Sequence, residues 1–106
     1  MIRLSVLYPA TEGARFDHDY YRDVHVPLAV RTWEPVSSEI DRGVDGPYLA
    51  AVHLCFADMA ALQEAMGREG TRAVRDDVPN YTDVAPVRQV SEVTSGRPED
   101  RLPPHP

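Results

Sequence analysis

The residues that most constrain the fold are 48–56, Tyr-Leu-Ala-Ala-Val-His-Leu-Cys-Phe, where His53 alone interrupts an otherwise apolar run. Successive side chains of a strand point to opposite faces, so a strand apolar at both alternations needs cover on both sides. It therefore reads as a central strand. At 106 residues the chain is one domain with a modest core, so few other elements are available to cover it.

Those elements follow from local patterns. Residues 2–8 alternate, with Ile2, Leu4, Val6 and Tyr8 on one face and Arg3, Ser5 and Leu7 on the other. A first helix begins after Asp17, a suitable N-cap, with Phe16 and Tyr21 spaced as a hydrophobic staple. At 100° per residue, Tyr20, Tyr21, Val24 and Leu28 define its buried stripe, and His25 borders it. Pro27 predicts a kink or break just after His25, and Pro35 stops the helix beyond Trp33. Residues 38–45 are a weak, polar edge strand, and Gly46-Pro47 turns the chain into 48–56. Asp58 caps a second helix with Met59, Leu62, Met66 and Ala73 on one stripe, and Gly67 and Gly70 are compatible with its division around Thr71. Residues 84–93 form a last strand, which Pro86 directs to an edge.

The order β-α-β-β-α-β is the split βαβ pattern of ferredoxin-like α+β folds, with a four-stranded antiparallel sheet. Right-handed crossovers put both helices on one face. The other face of 48–56 then stays bare, and a bare apolar sheet face is an interaction site. A second copy packed sheet to sheet about a two-fold axis covers it. The expectation is a homodimer, a dimeric α+β barrel, with a pocket between each sheet and its helices. The domain spans 1–94. Residues 95–106 hold four prolines and Leu102 as the sole large apolar residue, and are expected to form a disordered tail.

Composition excludes several functions. A net charge of −6 and a pI near 5.0 oppose nucleic acid and anionic membrane surfaces as partners. All eleven basic residues are arginine, so Schiff-base chemistry has no lysine to use. The lone Cys55 reads as a small buried hydrophobe. His18 and His25 lack helical metal-pair spacing, no Gly-rich loop opens a helix, and no serine sits in a nucleophile elbow. No metal and no cofactor is therefore expected. Without a signal segment or an apolar run of about 18 residues, a cytoplasmic location follows.

His25 is the leading candidate for an acid or base, because imidazole titrates near neutrality. The competing reading has it bonding a main-chain carbonyl freed by Pro27. His53 alternates away from Val52, Leu54 and Phe56, and is either a second catalytic histidine or a satisfied core residue. His18 reads as solvent-exposed. Tyr8, Tyr21, Trp33 and Tyr81 are candidate ligand-binding residues, since buried phenol and indole groups need polar partners. The ligand they suit is a hydrophobic or aromatic small molecule.

Ser5-Val6-Leu7-Tyr8-Pro9, Phe16-Asp17-x-Asp19-Tyr20-Tyr21, His25-x-Pro27-Leu28, His53-Leu54-x-Phe56 and Asp77-Val78-Pro79-Asn80-Tyr81-Thr82 carry a further signal. Over residues 1–94 the chain resembles the EthD family, named for ethyl tert-butyl ether degradation. The resemblance implies the barrel dimer and a cleft lined by the first helix and the sheet. It also implies a catabolic setting, with relatives labelled reductases and others resembling dehydratases of polyketide pathways. Two readings follow. One is a cofactor-independent enzyme (dehydratase, isomerase, cyclase or oxygenase type, hence a lyase, isomerase or oxidoreductase) that acts on a hydrophobic or aromatic carbonyl compound through His25, with His53 as a second group. The other is a non-catalytic ligand-binding accessory protein of a catabolic or polyketide pathway.

Overall fold

A computed structural model describes residues 1–95; the proline-rich segment from residue 96 onward lies outside the described residues. Strand β1 (Ile2–Pro9) lies beside β3 (Tyr48–Phe56) and pairs on its other side with β4 (Val87–Glu92), while β2 (Ser37–Arg42) is the opposite edge. The sheet order β2-β3-β1-β4 is antiparallel throughout. This is the ferredoxin-like α+β arrangement expected from the element order. Helix α1 covers residues 18–33 and is built from an α-helical turn His18–Tyr20, a π turn Tyr21–His25 and an α-helical segment Val26–Trp33. Helices α2 (Met59–Met66) and α3 (Thr71–Asp76) follow β3, and a 3-10 turn Val78–Asn80 leads toward β4.

Register decides which side chains face the helices. Leu4 pairs with Leu54, Val6 with Val52 and Tyr8 with Ala50; alternation puts them all on the covered face. Leu4, Leu54, Tyr21 and Tyr81 are the largest fully buried side chains, each contributing on the order of 1.5–3 kcal/mol of apolar burial. The uncovered face carries Arg3, Ser5 and Leu7 opposite Cys55, His53 and Ala51. It is a mixed face of small and polar groups, not the continuous apolar surface that the run 48–56 suggests. Cys55 lies there half-buried, outside the main core.

The helix starts follow their caps. Asp17 Oδ1 accepts from Tyr20 N at 3.0 Å and Asp58 Oδ1 from Ala61 N at 2.8 Å. The Phe16 and Tyr21 rings meet at 5.1 Å, completing the staple. Pro27 does not break α1 as expected. The turn before it widens, with Val26 N–H bonding Tyr21 O five residues back, so the helix accommodates a residue that lacks an N–H and crowds the preceding turn. The wider turn also rotates the buried face. Val24, expected in the stripe, is 44% exposed, while His25, Val26 and Ala29 turn inward. In the second helical region Met59 is 42% exposed and Ala73 is also outside the core, whereas Leu62, Ala65, Thr71 and Val74 are buried. The helix stops at Gly67 and restarts at Thr71, so one phase does not carry across both pieces.

Candidate functional site

The π turn is the element that builds the site. It faces Tyr21 and His25 toward the core with their rings stacked at 5.6 Å and 15°. Asp77, one residue past α3, meets His25 from the other side. His25 Nδ1–H donates to Asp77 Oδ2 at 2.9 Å. Asp77 Oδ1 in turn accepts from Tyr20 Oη at 2.7 Å and Asn80 Nδ2 at 2.9 Å. A carboxylate so surrounded by donors is fixed in place, and it fixes the imidazole tautomer with Nδ1 protonated. Nε2 is then the basic nitrogen, and it has no hydrogen-bond partner among the described residues.

Behind this pair stands a cluster of aromatic rings. Tyr81 packs against His25 at 4.4 Å, Tyr21 at 5.0 Å and Tyr8 at 5.9 Å. The hydroxyls of Tyr8 and Tyr81 hydrogen-bond to each other. The Tyr21 hydroxyl is fully buried and makes no well-formed hydrogen bond among the described residues, its polar neighbour being Tyr8. A buried donor without a well-formed bond is costly, and the residue that carries this one lines a cavity of about 130 Å³ between the sheet and the helices. Leu4, Val6, Val52, Leu54 and Val74 make the wall apolar, and Tyr8, Tyr21 and His25 also line it. A dry cavity of on the order of 150 Å³ accepts a benzene-sized molecule.

Burial sets the protonation states. It pushes the His25 imidazole below its ordinary value of 6.5, and this outweighs the upward pull of Asp77. Burial alone would raise Asp77, but its hydrogen bonds from Tyr20, Asn80 and His25 hold it below the usual carboxylate value. The Tyr8, Tyr21 and Tyr81 phenols are all raised, chiefly by burial. At neutral pH the site thus holds a neutral imidazole, an ionised carboxylate and protonated phenols.

A histidine lowered in the folded state binds its proton more readily when unfolded. Stability attached to neutral His25 is complete above about pH 6.5 and declines as pH falls toward the folded value. Asp77, lowered as well, adds a second loss only further into acid. The expected result is a fall in urea midpoint on acidification below pH 6.5 that His25→Gln reduces, leaving the contribution of His18, which burial also lowers, and the more acidic step.

The structure brings Tyr8, Tyr21, His25 and Trp33 to one cavity. Trp33 Nε1 donates to Thr71 Oγ1 at 2.8 Å and closes one side. Tyr81, 0% exposed, supports the cavity from behind rather than lining it. His25 bonds to a carboxylate instead of a main-chain carbonyl. His18 is half-buried against the Phe16 ring at 4.7 Å rather than free in solvent. The structure does not bring His53 to His25, which corrects the expectation that the two share a site. His53 alternates to the uncovered face, where Nδ1 lies 2.8 Å from Ser5 Oγ and Nε2 2.9 Å from Asp41 Oδ2. Sequence reasoning missed Asp77 as the histidine's partner, together with Arg75 and Arg88 in the cavity wall. The available signal for Asp77 was that a histidine at a buried helix face needs an acceptor. Among the described residues no cluster of three or more His, Cys, Asp or Glu is arranged to hold a metal ion, and no helix is long and apolar enough to cross a membrane.

Tyr21→Phe tests the buried hydroxyl. Removing a buried donor without a well-formed bond is expected to raise stability by about 1 kcal/mol, read as a higher urea midpoint with unchanged slope.

Comparison with known proteins places these features in a family. The EthD domain matches residues 11–85, a span that contains His25, Asp77 and Tyr81. The chain belongs to the EthD family. An EthD-like protein from Ralstonia eutropha is 34% identical over 92% of this chain and 96% of its own, with a TM-score of 0.85. An ethyl tert-butyl ether degradation (EthD) family protein from Bacillus halodurans shares the fold at 20% identity and a TM-score of 0.71, covering 88% of this chain and 98% of its own. A DABB family protein with a ferredoxin-like fold from Mesorhizobium loti shares it at 17% identity and a TM-score of 0.61, covering 87% and 95%. A search among curated proteins finds no match. The fold of this EthD chain is thus that of the wider ferredoxin-like group.

Proposed function

We propose that this EthD protein is a cofactor-independent enzyme that moves a proton on a hydrophobic or aromatic carbonyl compound, with His25 as its acid/base. The observation that carries this reading is the bond from His25 Nδ1 to Asp77, which leaves Nε2 without a partner among the described residues on a ring that lines an apolar cavity together with Tyr21. Nε2 takes a proton from the carbon next to the substrate carbonyl. The C–H electron pair passes into the enolate, and Tyr21 Oη–H donates to the enolate oxygen. Asp77 stabilises the imidazolium that forms. Delivery of that proton from the imidazolium to a different carbon of the enolate, or to its oxygen, closes an isomerisation; delivery to a β-hydroxyl, which leaves as water, closes a dehydration, and both regenerate the neutral imidazole. Neither outcome needs an oxidant.

The test is deuterium uptake next to the carbonyl of benzylacetone in D2O, followed by mass spectrometry. The wild type is expected to accelerate exchange and His25→Gln to lose about 10²–10⁴-fold of it. Equal exchange in both overturns the assignment. Binding of benzylacetone without exchange would instead make the protein a carrier of such compounds.

The same reading includes a homodimer formed through the uncovered sheet face. Half-buried Leu7 and Cys55 support it, since helices cover only the opposite side, and the Ser5–His53–Asp41 bonds satisfy the polar groups that such a contact would bury. Sedimentation equilibrium at micromolar concentration is expected to give twice the chain mass; a single-chain mass refutes the dimer.

A further inference from the structure

We infer that the cavity selects organic anions: an apolar body seats against the sheet while its carboxylate meets Arg75 and Arg88. The inference rests on the cavity of the proposed function and not on the proton transfer assigned to His25. Seventeen acidic residues against eleven arginines make the chain acidic overall, yet the cavity wall reverses that balance. Among the described residues its charged side chains are Arg75 and Arg88, with no aspartate or glutamate.

The two arginines come from different elements, Arg75 from α3 and Arg88 from β4. Register puts Arg88 opposite Val6, a cavity residue, on the helix-covered face of the sheet. Neither arginine forms an ion pair among the described residues. Arg88 Nη2 has only the Met66 sulfur nearby, at 3.9 Å, a weak acceptor for a group with several N–H donors. By contrast Arg68, on the outer surface, holds Glu64 through two hydrogen bonds of 3.0 and 2.8 Å. Carboxylates were thus available to this fold as arginine partners and are absent from the cavity wall. Two guanidinium-bearing residues in the wall of one apolar recess form a charge-assisted donor set for a carboxylate. Both residues are solvent-exposed, so they lie at the mouth of the cavity, while His25 and Tyr21 are buried deeper. A ligand that spans the two is an aryl- or alkyl-chain carboxylate whose charge stays at the entrance.

Equilibrium titration with hydrocinnamate and its neutral counterpart hydrocinnamamide tests this. The acid is expected to bind about tenfold more tightly than the amide, a modest ratio because solvent screens charges at the mouth. Arg75→Gln/Arg88→Gln is expected to bring the two affinities together by weakening acid binding alone, and Arg88→Lys to keep most of the preference. Equal affinities in the wild type overturn the inference, as does a preference that survives the double glutamine variant. Failure of both compounds to bind overturns it too, and removes the cavity reading beneath it. Titration requires no turnover, so loss of the charge preference leaves the His25 assignment standing, and absence of deuterium exchange leaves the charge preference standing.

Discussion

Asp77→Asn is expected to cut His25-dependent exchange by about 10²–10⁴-fold, nearly as much as replacing the histidine itself. Asp77 acts on the substrate only through His25, so it is a positioning residue. Its carboxylate accepts from Nδ1–H at 2.9 Å, which keeps the basic lone pair on Nε2. An asparagine can offer its amide N–H to Nδ1, which moves the imidazole proton to Nε2 and removes the base. The lost negative charge also lowers the affinity of the ring for a proton, since Asp77 pulls His25 upward. A purely structural role would change stability alone. The two are separated by the pH profile, whose acidic limb should shift to lower pH in Asp77→Asn, and by Asp77→Glu, which keeps the acceptor charge and should restore part of the rate. Unfolding stability should fall by about 1–3 kcal/mol in Asp77→Asn, because one amide oxygen replaces a carboxylate that serves three donors.

Tyr81→Ala should have the largest effect on stability, a loss of about 3–5 kcal/mol, which is a large part of the 5–15 kcal/mol typical of a whole domain. The ring is 0% exposed and sits among Tyr8, Phe16, Tyr20, Tyr21 and His25. Its removal leaves a void against the His25 ring and strips Tyr8 of its hydroxyl partner. Tyr81→Phe keeps the ring and loses only that hydrogen bond, so it should cost about 1 kcal/mol. Urea denaturation of the pair measures the difference. Similar midpoints for Ala and Phe would show that the ring cluster does not hold the site together.

These predictions depend on contacts that differ in how readable they are from sequence. The Asp17 cap, the Phe16–Tyr21 staple, the 48–56 strand and the halt at Gly67 depend on neighbours a few residues apart, so periodicity and capping rules reach them. Pro27 announced a disturbance in the first helix, but not its form. A break and a π turn both relieve the clash, and packing of Tyr21 and His25 against the sheet selects the second. With that choice the angular phase shifts, which is why Val24 and His25 exchange the roles that an even 100° step assigns them. Asp77 and Arg88 were out of reach for another reason. Asp77 lies 52 residues from His25 along the chain, and only the return of the chain after α3 brings the two together.

By itself the amino-acid sequence determined the strand and helix order, the ferredoxin-like sheet, His25 as the residue of interest and the family motifs around it. Those follow from local propensity and from alternation along single elements. The tertiary structure alone decided that His53 meets Ser5 and Asp41, that Asp77 orients His25, and that the cavity carries arginines without carboxylates among the described residues. Sheet register and helix docking fix which distant side chains meet, and neither is encoded in the spacing of residues along one element.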